Sequence, residues 1–300
     1  MTYQEFITHI KESMQEKLGS HVTVTLQDIT KNNDTHLDGL TILSTSSNIS
    51  PTIYLNYYYS QYTQGREASD ILAEILNIYE TNKPDASIDV SFFTSYDKVK
   101  SRIVFKLINY KKNKDLLKDV PYFQFLDLAI VFNCLIKTDD TGSATILIHN
   151  HHLALWQITK DDLYALAILN TPSLLPYDLR SMTDVLKELF QHDPVNDSNL
   201  FQPSDSACPM YLLSNHCKLN GSGCILYQNL LESFAVRLKS DLYILPSSIH
   251  EVLIIPANHN NSYQELSAMV REVNATQVSQ DEILSDHVYY FSRVENRLTM

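Results

Sequence analysis

Asp241–Pro256 reads DLYILPSSIHEVLIIP, and its two apolar runs decide the fold class. LYIL and VLIIP are short and β-branched, and each is bounded by proline or polar residues, as expected of buried strands. Between them sits a compact polar centre, Ser247, Ser248, Ile249, His250 and Glu251. A serine, a histidine and a carboxylate so placed make Ser247, Ser248, His250 and Glu251 candidate catalytic residues. In an extended chain side chains alternate between faces, so Ser248 and His250 share one face while Glu251 takes the other. A working triad would therefore need its acid from another element, and the Gly-x-Ser-x-Gly elbow is absent. The competing reading is structural. Pro246 stops LYIL, and hydroxyls with an imidazole can satisfy the backbone groups freed at such a junction.

Working outward, Met210–Ser214 reads as a strand, Asn220–Gly223 as a turn and Cys224–Tyr227 as its paired strand. Asn229–Lys239 reads as an amphipathic helix. Ser262–Val273 is a helix whose capping box is Ser262 and Glu265, and His287–Phe291 is a closing strand. The order ββαββαβ predicts an α+β fold with largely antiparallel sheets and packed helices. Upstream, Asp193–Pro209 (DPVNDSNLFQPSDSACP) is rich in Pro, Asn, Asp and Ser. It is the expected linker or long loop between an N-terminal α+β region, 1–192, and a C-terminal region, 210–300, a split compatible with one shared core.

The N-terminal region opens with an apolar stripe, Tyr3, Phe6, Ile7, Ile10, Met14 and Leu18, at helical spacing, closed by Gly19. Strands are expected over His21–Ile29, Leu37–Leu43 and Thr52–Leu55, forming a meander on that helix. Tyr54–Tyr62 (YLNYYYSQY) follows, and Tyr57, Tyr58, Tyr59 and Tyr62 are candidate binding residues where exposed. Ser101–Tyr110 is open to strand or helix. Leu128–Ile136 reads as a buried strand, Asp139–Gly142 as a turn, and Ala144–Leu155 as the returning strand. His149 and His151 on that strand would share a face about 7 Å apart. Such a pair could hold a metal if a third ligand came from elsewhere. With no third ligand visible, neither metal nor cofactor is expected. Thr159 with Asp162 and Ser181 with Asp184 mark two further helix starts, and Pro172 and Pro176 are expected to end the first of these helices.

The chain carries 35 acidic against 23 basic side chains, a net charge of −12 over 300 residues. That balance opposes direct nucleic-acid binding, which needs a basic footprint. Met1–Leu18 lacks the apolar core of a signal peptide, and no apolar run approaches the ~20 residues a membrane helix needs. The four cysteines form no C-x-x-C pair. These features predict a soluble cytoplasmic protein with reduced thiols and no membrane contact.

The blocks KNNDTHLDGL (31–40), SPTIYLN (50–56), NYKKNKDLLKDVPYFQFLDLAIV (109–131), 144–156, 241–256 and EVNATQVSQDEILSDHVYY (272–290) resemble a bacterial family catalogued as a domain of unknown function. The resemblance spans nearly the whole chain and implies a soluble bacterial protein. It brings no activity, ligand or catalytic residue. Three functions stand beside it: a non-enzymatic binding or interaction protein with a protein or small-molecule partner, a hydrolase using Ser248 and His250, and an acidic decoy of DNA-binding enzymes, supported by charge alone.

Overall fold

The computed structural model describes residues 1–45, 47, 50–83, 91–139, 142–191, 209–257 and 262–300. The chain forms two compact units. The first holds Met1–Lys31 and Thr35–Phe92, and the second holds Asn32–Asp34 and Phe93–Met300.

In the first unit the apolar stripe makes helix α1 (Tyr3–Leu18), with Phe6, Ile7, Ile10, Met14 and Leu18 all buried. Thr2 and Glu5 close a reciprocal capping box at its start, and Gly19 ends it at φ 76°, a conformation that favours glycine. Strands β1 (Val22–Thr30), β2 (His36–Ser44) and β3 (Thr52–Tyr54) form the expected antiparallel meander. Gly39 in β2 sits in a tight spot: a Cβ there would lie 2.5 Å from the Ile29 side chain and 2.6 Å from that of Thr52, so these side chains would have to shift. Helices α2 (Leu55–Thr63) and α3 (Ala68–Asn82) follow, and Leu55, Tyr58, Ile71, Ile75 and Tyr79 join the stripe of α1 in one core.

The second unit includes the short helix α4 (Tyr96–Val99) and strand β4 (Ile103–Asn109). This resolves Ser101–Tyr110 in favour of a strand, six of whose seven residues are buried. Strands β5 (Phe123–Phe125), β6 (Leu128–Asp139) and β7 (Gly142–Leu147) complete an antiparallel sheet in which β6 pairs with all three others. Of the turn expected between β6 and β7, residues 140–141 lie outside the described residues. The returning strand stops at Leu147, and helix α5 (Asn150–Trp156) takes over. The expected strand through Leu155 is therefore corrected. Backbone bonds explain the break: Ile148 N–H donates to the Phe132 carbonyl, but Asn150 N–H turns to the Asp119 carbonyl at 2.8 Å.

Helix α6 (Lys160–Leu174) starts at the Thr159 and Asp162 capping box and packs on β4. Pro172 lies inside its last turn instead of ending it. Late in a helix the missing proline N–H removes a single bond. The Thr171 hydroxyl meanwhile donates to the Ala167 carbonyl and accepts the Phe105 N–H, tying α6 to β4.

Strand β8 (Tyr177–Ser181), helix α7 (Met182–Gln191), strand β9 (Tyr211–Asn215), helix α8 (Leu230–Leu238), strands β10 (Leu242–Leu245) and β11 (Val252–Pro256), helix α9 (Tyr263–Thr276), and strands β12 (Tyr289–Ser292) and β13 (Arg297–Thr299) complete the unit. Their sheet is antiparallel, in the order β13-β12-β10-β11-β9-β8. LYIL and VLIIP sit at its centre in direct register, Leu242 opposite Pro256 and Leu245 opposite Leu253. The protein is thus an α+β fold with antiparallel sheets. Gly221–Leu226, read as turn and strand, is instead a 3-10 helix. Of the expected linker 193–209, all but Pro209 lies outside the described residues, and the stretches on both sides of it belong to the second unit.

Candidate functional site

The polar centre of the second unit is an irregular crossing from β10 to β11 whose backbone is hydrogen-bonded on both sides. Leu284 N–H donates to the Ser247 carbonyl, Ser285 N–H to the Pro246 carbonyl, and Ile249 N–H to the Glu282 carbonyl. On the other side the Ser222 hydroxyl donates to the Ile249 carbonyl and the Ser214 hydroxyl to the His250 carbonyl, each at 2.7 Å. Ser248, 6% exposed, spends its oxygen accepting the His250 backbone N–H at 3.0 Å. The His250 ring sets Nδ1 3.1 Å from the Lys218 carbonyl and Nε2 3.6 Å from a Glu282 carboxylate oxygen. A remote acid does reach the imidazole, but Nε2, the nitrogen a general base would use here, faces that carboxylate and not a hydroxyl. The Ser247 carbonyl and the Ser248 hydroxyl tie the crossing together.

The histidine stretch has a different chemistry. His149 precedes the first residue of α5, and its Nδ1 lies 2.7 Å from an Asp119 carboxylate oxygen. His149 N–H donates to His152 Nδ1 at 2.9 Å, and the His152 ring stacks on Trp156. Burial, and secondarily the neighbouring His151 and His149, pushes His152 down to about 4. His149 and His151 thus come from a helix start, not from one strand face, yet they remain neighbours with ring centres 5.5 Å apart. Asp119, 30 positions earlier, had no local signal.

Among the tyrosines, Tyr58 is buried and donates to Glu74. Burial first, and Glu74 next, holds its phenol above the usual value. Tyr59 and Tyr62 pack against Phe6. Tyr57, 63% exposed, is the outward member of the group.

Three features of the second unit lay beyond local sequence reasoning. The first is the buried carboxylate of Asp127, which accepts from Ser285 Oγ at 2.6 Å, His287 Nδ1 at 2.9 Å and Tyr289 Oη at 2.5 Å. Burial, then the Asp127 charge, pushes the Tyr289 phenol upward. The 285, 287, 289 spacing carries strand alternation, but nothing local points to residue 127. The second is a reciprocal pair in which Asn33 and the fully buried Asn113 exchange hydrogen bonds, while Asn33 Nδ2 caps the Gln280 and Ile283 carbonyls. The third is a groove of about 760 Å³ lined by residues that include Ile168, Leu169, Pro172, Tyr177 and Leu230. A second hollow of about 330 Å³ shares Tyr177 and Leu230 with it and adds Leu179, Phe234 and Arg237. Leu169 is 72% exposed and Tyr177 50%, large values for apolar side chains lining one depression.

The two buried thiols, Cys134 and Cys224, are not activated nucleophiles. Burial pushes Cys134 up to about 11 and Cys224 up to about 12. No helix among the described residues is long and apolar enough to cross a membrane.

No curated protein and no solved structure matches the chain. One family does, over residues 3–293, in accord with the resemblance read from its sequence blocks: the chain belongs to the family of unknown function DUF5688.

Proposed function

We propose that this chain is a non-enzymatic binding protein that takes an extended apolar segment of a partner protein into the groove beside β8. The observation that carries this reading is the joined pair of hollows along β8, with Leu169 and Tyr177 exposed in one apolar depression. Tyr177 and Leu179 are two apart on β8 and so project from the same face. Among the described residues, strand β8 pairs with β9 on one side and ends the sheet order, an edge that can take a further strand. Main-chain bonds along that edge would supply affinity, and the apolar hollows would select alternate side chains. The hydrolase reading has less support, because Ser248 and the His250 ring are engaged as described. The decoy reading has only the charge of −12 behind it. A cytoplasmic location is supported by the free thiols of Cys134, Cys217 and Cys224.

Selection from a displayed peptide library tests the proposal. The wild-type chain should enrich peptides with alternating apolar residues. The double variant Leu169→Asp, Tyr177→Asp changes exposed positions, so it should melt like the wild type while losing that selection. An unenriched library, or equal binding by the variant, would remove the groove as the site. Ester turnover abolished by Ser248→Ala would restore the hydrolase.

A further inference from the structure

The Asp119, His149 and His151 cluster has no task in the groove reading and lies outside the polar centre. Each of the three offers one ligand atom, and these atoms all lie within 4.8 Å of one another. Two ligands on one zinc, each about 2.0–2.2 Å from the metal, stand roughly 3.3 Å apart in a tetrahedral site. Closing the difference calls for side-chain rotation, for which Asp119 and His151 are exposed and His149 is half-buried.

The backbone already holds the three in register. Asn150 N–H donates to the Asp119 carbonyl at 2.8 Å, which fixes the acid beside the start of α5. The His149 N–H is taken up by His152 Nδ1, and His152 in turn rests on Trp156 and Phe93. Trp156 is itself anchored by its indole N–H to the Phe93 carbonyl at 2.9 Å. The two outward imidazoles therefore stand against a packed aromatic base of His152, Trp156 and Phe93. The helix start carries partial positive charge, which opposes a cation, and the negative charge of Asp119 acts in the opposite sense. Two imidazole nitrogens with one carboxylate suit borderline-soft divalent ions better than calcium or magnesium, which prefer all-oxygen shells.

We propose that Asp119, His149 and His151 bind one divalent transition-metal ion of the zinc type, leaving at least one coordination position open to water or an exogenous ligand. The sequence reading expected no metal for want of a third ligand, and Asp119 supplies it.

Calorimetric titration of the chelator-treated full chain with zinc chloride tests this, with cobalt(II) absorption as a second reading of the ligand set. The expected result is one ion per chain and a four- or five-coordinate cobalt spectrum. Asp119→Asn and His151→Ala should each weaken binding about tenfold or more, with unchanged circular dichroism. The absence of saturable zinc binding would overturn the assignment. So would wild-type affinity in both Asp119→Asn and His151→Ala, which would place the ion elsewhere.

Discussion

The crossing at Ser247–Glu251 and the turn at His149–His152 both concentrate polar residues beside a strand end, and they use them in opposite ways. At the crossing, Ser214, Ser222 and Ser248 bond to main-chain groups of the same buried loop. At the turn, Asp119 and His149 meet through their side chains, and His151 stacks in the open on rings of its own kind. A hydroxyl that completes a buried backbone cannot leave it without cost, because the abandoned group stays desolvated. A surface imidazole can exchange its neighbour for water or an ion at little cost. The partner of a polar side chain, more than its identity, separates residues that hold the fold from residues open to a ligand.

The largest effect that probes this contrast is Gly221→Ala. A Cβ at Gly221 would fall on the His250 carbonyl oxygen and the Ser214 hydroxyl, and 2.8 Å from the Asn215 nitrogen. Two of those obstacles are backbone and cannot swing aside. The substitution should cost about 3 kcal/mol or more, at the upper end for overpacking, read as a lowered urea midpoint. A midpoint within experimental error of wild type would mean the crossing is loose, and the contrast would fail at its first step.

Ser248→Ala comes next. It leaves the His250 N–H without its acceptor in a site that water scarcely reaches, so ~1–3 kcal/mol should be lost. His250→Ala should cost less, because its ring is about one-third exposed and lies at the edge of the network. Equal or reversed costs in denaturant melts would show that the ring, not the hydroxyl, organises the crossing.

Much of the scaffold around these two sites was legible because its causes are local. LYIL and VLIIP announced the central strand pair, and the pairs Thr159 with Asp162 and Ser262 with Glu265 announced helix starts that hold in the structure. The failures share one origin, a partner far along the chain. Gly221–Leu226 looks like a turn and strand, yet it is a 3-10 helix whose Ser222 is held from Ile249. His149 looked like a strand residue, because nothing near it tells that Asn150 will bond to Asp119. The groove was invisible for the same reason, since Leu169, Tyr177 and Leu230 come from three elements.

A smaller effect concerns pH. Asp241 accepts from the Tyr290 hydroxyl at 2.6 Å and from the Arg293 N–H at 2.8 Å, and these bonds, Tyr290 first, hold its carboxyl below the usual range. A lowered folded-state value means that the contribution is complete above the unfolded value, near 3.9, and disappears as pH falls through the folded one. Because solvent screens the site, the contribution should not exceed a few tenths of a kcal/mol. Melts of wild type and Asp241→Asn should differ slightly near neutrality and converge in acid. A gap that widens on acidification would reverse the sign and refute the assignment.

The last expected effect is the one that most sharpens the contrast. In chelator-treated protein, His151→Ala should change stability by no more than about 0.5 kcal/mol, the usual range for an exposed side chain. Its ring touches His149 and His152 but completes no buried backbone, and the anchoring bonds of the turn run through His152, Asn150 and Trp156. Adding zinc should then separate the two proteins. An ion that binds only the folded state stabilises it by about 2.7 kcal/mol at a hundred times its dissociation constant, so the wild type should melt higher and the variant should gain far less. Thermal melts with and without zinc carry both readings. A loss in His151→Ala comparable to that in Ser248→Ala, before any metal is added, would make the turn a second structural junction. The two sites would then differ in exposure alone.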